Sequence, residues 1–225
     1  MGGTPKRVLA IDAALAACSA AVLVDDVIAA ERLEAMARGH AERLLPMVSE
    51  TMAEACLGFD SLDLIAVTIG PGHFTGLRVG LAAAQGLALA LDRPLSGVTT
   101  LEAVAAAAAG EGALAVALES KRADLYLQLF SQGRPLSEPL AMTPEQLVRF
   151  GWPEGEIAVA GDGAARLEPI LAAAGRRSRR VGPNLPDAAT VARIAATRHG
   201  TPAARAAEPL YLRAPDVTFP KDRRR

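Results

Sequence analysis

The stretch from Asp63 to Leu91 constrains the fold more than any other part of the chain. An apolar run, Asp63 to Ile69, reads as a buried strand and leads directly into Gly70-Pro71-Gly72-His73-Phe74-Thr75-Gly76-Leu77-Arg78-Val79-Gly80. From Gly76 to Leu91 the pattern is helical, with Gly76, Gly80, Ala84 and Ala88 at i, i+4 spacing. Those positions form a ridge with almost no side chain on one helix face. Such a ridge lets another backbone approach closely, at a helix-propensity cost of about 1 kcal/mol per glycine. The approaching element can be the chain's own sheet or a helix of a second chain, and the two can coexist on different faces. Composition points the same way. Hydrophobic residues make up 51% of the chain but aromatic residues only 4%, so Ala, Leu and Val must fill the core by close approach of elements.

A strand, a glycine-bearing turn and a helix can also bring backbone N–H groups toward an anion. Here Gly70 and Gly72 relieve the turn, Thr75 is the candidate N-cap, and Arg78 faces either a phosphate or solvent. The spacing is neither the dinucleotide fingerprint nor the P-loop, and no lysine follows.

The rest of the chain reads as two halves of similar order. Arg7–Ile11, Ser19–Val24 and Val27–Leu33 form a strand meander, the last two joined by an Asp25-Asp26 turn. His40 to Ala55 carries a helical stripe at Leu44, Leu45, Val48, Met52 and Ala55, with Pro46 either in its first turn or kinking it. After the glycine turn and its helix come a short strand, Pro94–Val98, and a helix from Thr100 to Ala109. Gly110 and Gly112 mark a seam. Strands then recur at 113–118, 124–130 and around 135–140, followed by a helix at 144–150, a strand at 157–160 and helices at 164–174 and 187–199. The expected division is 1–110 and 111–225, each a mixed sheet with helices packed on it. Leu212 to Arg225 reads as an extended tail.

At 225 residues the chain can bury a substantial core. Its 24 Lys and Arg against 25 Asp and Glu leave a net charge of −1, which forces neither a nucleic-acid nor a membrane partner. Cys18 and Cys56 form no C-x-x-C pair and read as small buried thiols. Residues 1–7 lack the apolar core of a signal peptide, and the apolar runs are broken by charges or turn residues. A cytoplasmic protein is the expectation.

Taken together, the motifs resemble a known family. GPGHFTGLRVG closely resembles the signature of the TsaB (YeaZ) family, paralogues of the tRNA-modifying enzyme TsaD. The resemblance extends through Leu9-Ala10-Ile11-Asp12 and Ala17-Cys18-Ser19, His40-Ala41-Glu42-Arg43-Leu44-Leu45-Pro46, and Lys121-Arg122 with Tyr126. It continues through Gln128-Leu129-Phe130, Ala160-Gly161-Asp162-Gly163, and Pro209-Leu210-Tyr211-Leu212-Arg213. It implies the actin/hexokinase/Hsp70-like (ASKHA) pair of duplicated α/β lobes, in agreement with the two halves read from the pattern. It also implies a subunit that binds TsaD, with the ATPase TsaE engaging the pair. That assembly forms threonylcarbamoyladenosine on tRNA, and this chain would meet tRNA through the complex only. In the absence of TsaD the same face can form a homodimer.

Catalytic chemistry finds little support position by position. TsaD carries an H-x-x-x-H metal pair on a helix, and the resemblance places Thr100 and Val104 at those positions. Valine cannot coordinate a metal. The chain has three histidines, His40, His73 and His199, none four residues from another. No serine lies in G-x-S-x-G. Of the hairpin turns that could cradle phosphate, Ile11-Asp12-Ala13-Ala14 and Glu119-Ser120-Lys121-Arg122 lack glycine. Gly161-Asp162-Gly163 remains as a nucleotide candidate or a tight strand-to-helix turn. Arg176-Arg177-Ser178-Arg179-Arg180 and Arg223-Arg224-Arg225 read as a solvated loop and tail, without interleaved aromatics to stack bases. The expectation is therefore a scaffold with no catalytic residues, metal or cofactor of its own. Its partner face would comprise His40, Leu44, Leu45, Met47, Val48 and Met52, with Gly76, Gly80 and Ala84 nearby. The apolar residues on both sides of the 40–55 helix exceed what one buried stripe needs. The rival readings are an ATP-dependent kinase or ATPase of the same superfamily, and a module that binds tRNA directly.

Overall fold

The computed structural model describes residues 6–108 and 112–213. The expected boundary at 110, and the tail beyond Arg213 with its terminal arginines, lie outside these residues. Two mixed sheets repeat one order. In the first, β1 (Arg7–Asp12), β2 (Ala17–Val24) and β3 (Val27–Ala35) form an antiparallel meander. β4 (Leu64–Thr68) and β5 (Leu95–Val98) add in parallel on the other side of β1, giving the order β3-β2-β1-β4-β5. Asp25 and Asp26 take positive φ (45° and 69°) in the tight turn between β2 and β3, as a two-residue hairpin requires.

The second sheet repeats the scheme. β6 (Ala113–Glu119) and β7 (Leu125–Ser131) are antiparallel, and the expected third strand is split into β8 (Arg134–Pro135) and β9 (Leu140–Met142), both on β7. β10 (Glu156–Ala160) and β11 (Arg177–Arg180) extend the sheet in parallel from β6. β11 corrects the reading of 176–180 as a solvated loop. Arg-Ser-Arg-Arg offers no apolar alternation, yet it pairs along β10 as a charged edge strand, the composition that keeps an edge from templating further strands. Arg179 and Arg180 pair with Glu156 and Glu168.

The helices also correspond: α1 (His40–Glu54), α2 (Phe74–Leu91) and α3 (Thr100–Ala107) in the first half, α4 (Pro144–Val148), α5 (Ala164–Ala173) and α6 (Ala188–Arg198) in the second. Leu9, Ile11, Ile65 and Val67 face α1 and α2, whereas Val8, Ala10, Leu64 and Ala66 face α6. Both sheet faces are covered, which explains why these strands read as continuous apolar runs. Helix 187–199 was expected to close the second half. Instead α6 crosses back to the first sheet, where its alanines sit against Ala10, Ala21 and Ala66. α3 does the reverse: Leu101, Val104 and Ala105 pack with Val116, Leu118, Phe130 and Ala160 of the second half. Each half is thus covered by the other's last helix. α2 has the length and composition of a membrane-crossing helix, but Gly76, Leu77, Gly80, Leu81, Ala84 and Ala88 bury one side of it in the first core.

Glu102 fastens this exchange. It closes a capping box with Thr99, accepting the Thr99 hydroxyl at 2.8 Å, and it meets Arg198 of α6 at 3.1 Å and Arg205 at 3.6 Å. Burial alone would raise its carboxyl, but Arg198, Thr99 and Arg205 outweigh that and hold it below the usual carboxylate range. Its contribution to stability is therefore complete above the unfolded value and is lost as pH falls through the lower folded one. Glu102→Gln should cost about 2–3 kcal/mol at pH 7, and the difference from the parent chain should shrink below about pH 4. Denaturant unfolding across pH measures both.

Candidate functional site

The glycine turn is built against the turn between β1 and β2. A Cβ on Gly72 would stand 2.4 Å from the Ala14 carbonyl oxygen, and one on Gly76 would stand 2.2 Å from that of Ala13. The His73 N–H donates to the Ala14 carbonyl at 2.7 Å. These glycines are needed because backbone lies directly on backbone. The same device recurs in the second half. A Cβ on Gly161 would meet the Ala117 carbonyl oxygen at 2.1 Å, the Gly163 N–H donates to that oxygen, and the Gly161 N–H donates to Pro183. Asp162 accepts the Glu119 N–H at 2.9 Å, and burial raises its carboxyl above the usual range. Gly161-Asp162-Gly163 is therefore a tight strand-to-helix turn. Two of its amides are already bonded, and its carboxylate would oppose a phosphate.

Under the first turn lies Asp12, fully buried. One carboxylate oxygen accepts the Thr68 hydroxyl at 2.6 Å and the Ala14 N–H at 3.1 Å, while the other has no hydrogen-bond partner. Burial, with a smaller push from Asp187, raises its pKa to about 7 despite those two bonds. The folded state thus holds a proton that the unfolded chain releases near pH 4. Stability from this group is complete below pH 4 and is lost as pH rises to about 7. Asp12→Asn should remove that slope. The parent chain should lose on the order of 3–4 kcal/mol relative to the variant between pH 4 and pH 8, as read by urea unfolding.

His40, the first residue of α1, places Nε2 3.0 Å from the Leu15 carbonyl oxygen and so anchors the helix to the same turn. His73, not Thr75, is the residue before α2, and it supplies no side-chain cap. Its Nε2 is buried without a partner, and burial, then Lys121 and His40, lower its pKa, favouring the neutral ring. His40 and His73 line one cleft of about 950 Å3, whereas His199 closes α6 and lies outside its lining. Among the described residues no group of three or more His, Cys, Asp or Glu side chains could hold a metal ion. At the two positions expected to replace the metal pair, Thr100 is buried with its N–H bonded to the Gly70 carbonyl, and Val104 is packed in the apolar cluster between the halves. Cys18 is buried as expected; Cys56 is exposed, at a positive φ just after α1.

The proposed partner face needs correction. Leu44, Met47, Val48 and Met52 of α1 and Gly76, Gly80 and Ala84 of α2 are buried in the first core. The glycine ridge thus takes the chain's own β1–β2 turn and sheet as its neighbour. Leu45 is 50% exposed, and His40 is half-buried. Pro46 lies inside α1, past the first turn, on its exposed side. The outward surfaces instead present Ala41, Leu45, Ser49 and Ala53 on α1, and Ala82, Gly86, Leu89 and Ala90 on α2. Leu89 is 85% exposed, and a Cβ on Gly86 would meet nothing within 4 Å. The cleft itself was not legible as a site, because its walls come from residues 37–42, 71–79, 120–122, 126 and 210–213, which only the fold brings together.

The family model for TsaD, tRNA N6-adenosine threonylcarbamoyltransferase, matches residues 33–175. The tRNA threonylcarbamoyladenosine biosynthesis protein TsaB of Escherichia coli is 37% identical over 123 residues, 53% of this chain and 53% of that protein. Across the curated relatives matched, the similarity spans 20–61% of their length. Two solved structures from Pseudomonas aeruginosa align over their full length. An uncharacterized protein with similarity to peptidase YeaZ covers 92% of this chain at TM-score 0.80 and 30% identity. YeaZ covers 91% at 0.78 and 29%.

Proposed function

Because the chain belongs to the TsaD family, on its TsaB (YeaZ) branch, we propose that it is a non-catalytic, cytoplasmic subunit that binds a TsaD protein and supports threonylcarbamoyladenosine formation on tRNA. TsaE would join the pair, and a homodimer would use the same face when TsaD is absent. The observation that carries the non-catalytic reading is Val104. At the position where the resemblance puts a metal ligand, its side chain packs in the cluster with Leu118 and Phe130 and joins the two halves. A metal pair would require an imidazole in that apolar seam, at the cost of burying a polar group among hydrocarbons. The two glycine turns support the same reading, since both lie on the chain's own carbonyls.

The partner surface is the outward side of α1 and α2, which pack beside one another on the first sheet. On α2, Ala82, Gly86 and Ala90 repeat at i, i+4 spacing and are all exposed. They form a second small-residue ridge, one that the first core leaves open. Flanked by Leu45 and Leu89, this ridge admits a partner helix at close range. Because both leucines are exposed, Leu45→Glu/Leu89→Glu should keep the parent thermal midpoint to within a few degrees. The double variant should lose co-purification with TsaD and the tRNA modification that depends on it. Retained binding and modification would contradict this assignment.

A further inference from the structure

The cleft gathers side chains that the partner surface does not use. Arg38 and Arg78 line its first-half wall, Lys121 and Arg122 its second-half wall, and Arg213 the C-terminal segment that crosses it. Glu42 is the one acidic side chain on the lining among the described residues. Arg213 is paired with Asp124 at 2.7 Å, whereas Arg38 and Lys121, both exposed, form no ion pair with a described residue. In a chain of net charge −1 this is a local concentration of cations, and a concave wall focuses its field.

The same cleft holds three of the chain's eight aromatic residues: Phe74, Tyr126 and Tyr211. The Phe74 and Tyr211 rings lie 6.2 Å apart, tilted by 32°, and are 57% and 47% exposed as whole residues. The Arg78 guanidinium sits 3.7 Å over the Phe74 ring and donates from Nε to the Tyr211 hydroxyl at 3.2 Å. Two rings and a guanidinium plane are therefore held in place beside Arg38 and Lys121. Flat rings suit unpaired bases, and cations on separate segments suit successive phosphates. A single nucleotide would meet only part of this array, and a duplex would keep its base faces from the rings.

We propose that this cleft binds an unpaired RNA strand, its bases stacking on the Phe74–Arg78–Tyr211 platform and its phosphates meeting Arg38 and Lys121. The contact belongs to this chain alone. It deepens the reading of the chain as a subunit of an RNA-modifying assembly, but loss of the one would leave the TsaD-binding surface intact. Fluorescence anisotropy of the full chain with a labelled ten-nucleotide unpaired RNA tests it, with a ten-base-pair RNA duplex and AMP as competitors. The strand should bind with a log K against log salt slope of about −1.4 between 50 and 200 mM, as expected for two phosphates. AMP and the duplex should compete at least roughly tenfold more weakly. Arg38→Glu/Lys121→Glu should weaken binding about tenfold or more and remove nearly all of the slope. Phe74→Ala should weaken it roughly fivefold or more. All three side chains are exposed, so the thermal midpoint should stay unchanged and serves as the folding control. Absence of salt-dependent binding, displacement by AMP or duplex as effective as by the strand itself, or variants that bind like the parent chain would each overturn the proposal.

Discussion

The contact on which the rest of the structure depends is backbone against backbone, between the glycine turn before α2 and the carbonyls of Ala13 and Ala14. It fixes the start of α2 against the β1–β2 turn and brings His40 and His73 to the same place. It also leaves buried Asp12 beneath the turn with one unpartnered oxygen. Its repeat in the second half, Gly161 and Gly163 on Ala117, shows that the arrangement is a property of the duplicated unit. The glycines serve close packing in both copies.

The two units are joined by exchange. α3 leaves the first sheet and packs on the second, and α6 returns from the second half to the first. An alanine-rich α6 can do this because the sheet beneath it presents Ala10, Ala21 and Ala66, so backbones approach closely without large side chains. Glu102 ties the exchange together through Arg198 and Arg205. Val104, at one of the two positions where the resemblance places a metal ligand of TsaD, packs in this joint.

Much of this was legible in the sequence. The apolar runs at 7–11 and 63–69, the Asp25-Asp26 turn and the repeated order of elements are local signals, and the strands, helices and two mixed sheets follow them. Three features were not legible, for identifiable reasons. β11 is an edge strand whose Arg-Ser-Arg-Arg sequence carries no alternation. The direction of the Gly76/Gly80/Ala84/Ala88 ridge could not be read from α2 alone, because Ala82/Gly86/Ala90 has the same spacing on the other side; only packing distinguishes them. The cleft joins Arg38, Phe74, Lys121 and Tyr211 across more than 170 positions, so the net charge of −1 concealed its local charge.

Replacing each of two glycines of α2 by alanine, separately, tests the central contact most directly. Gly76→Ala and Gly86→Ala gain the same helix propensity, about 1 kcal/mol, and differ in what the new methyl meets. At Gly86 it meets nothing, so stability in urea should rise by up to about that amount. At Gly76 it meets the Ala13 carbonyl at 2.2 Å, so stability should fall by about 2 kcal/mol or more. Equal effects of the two substitutions would contradict the account.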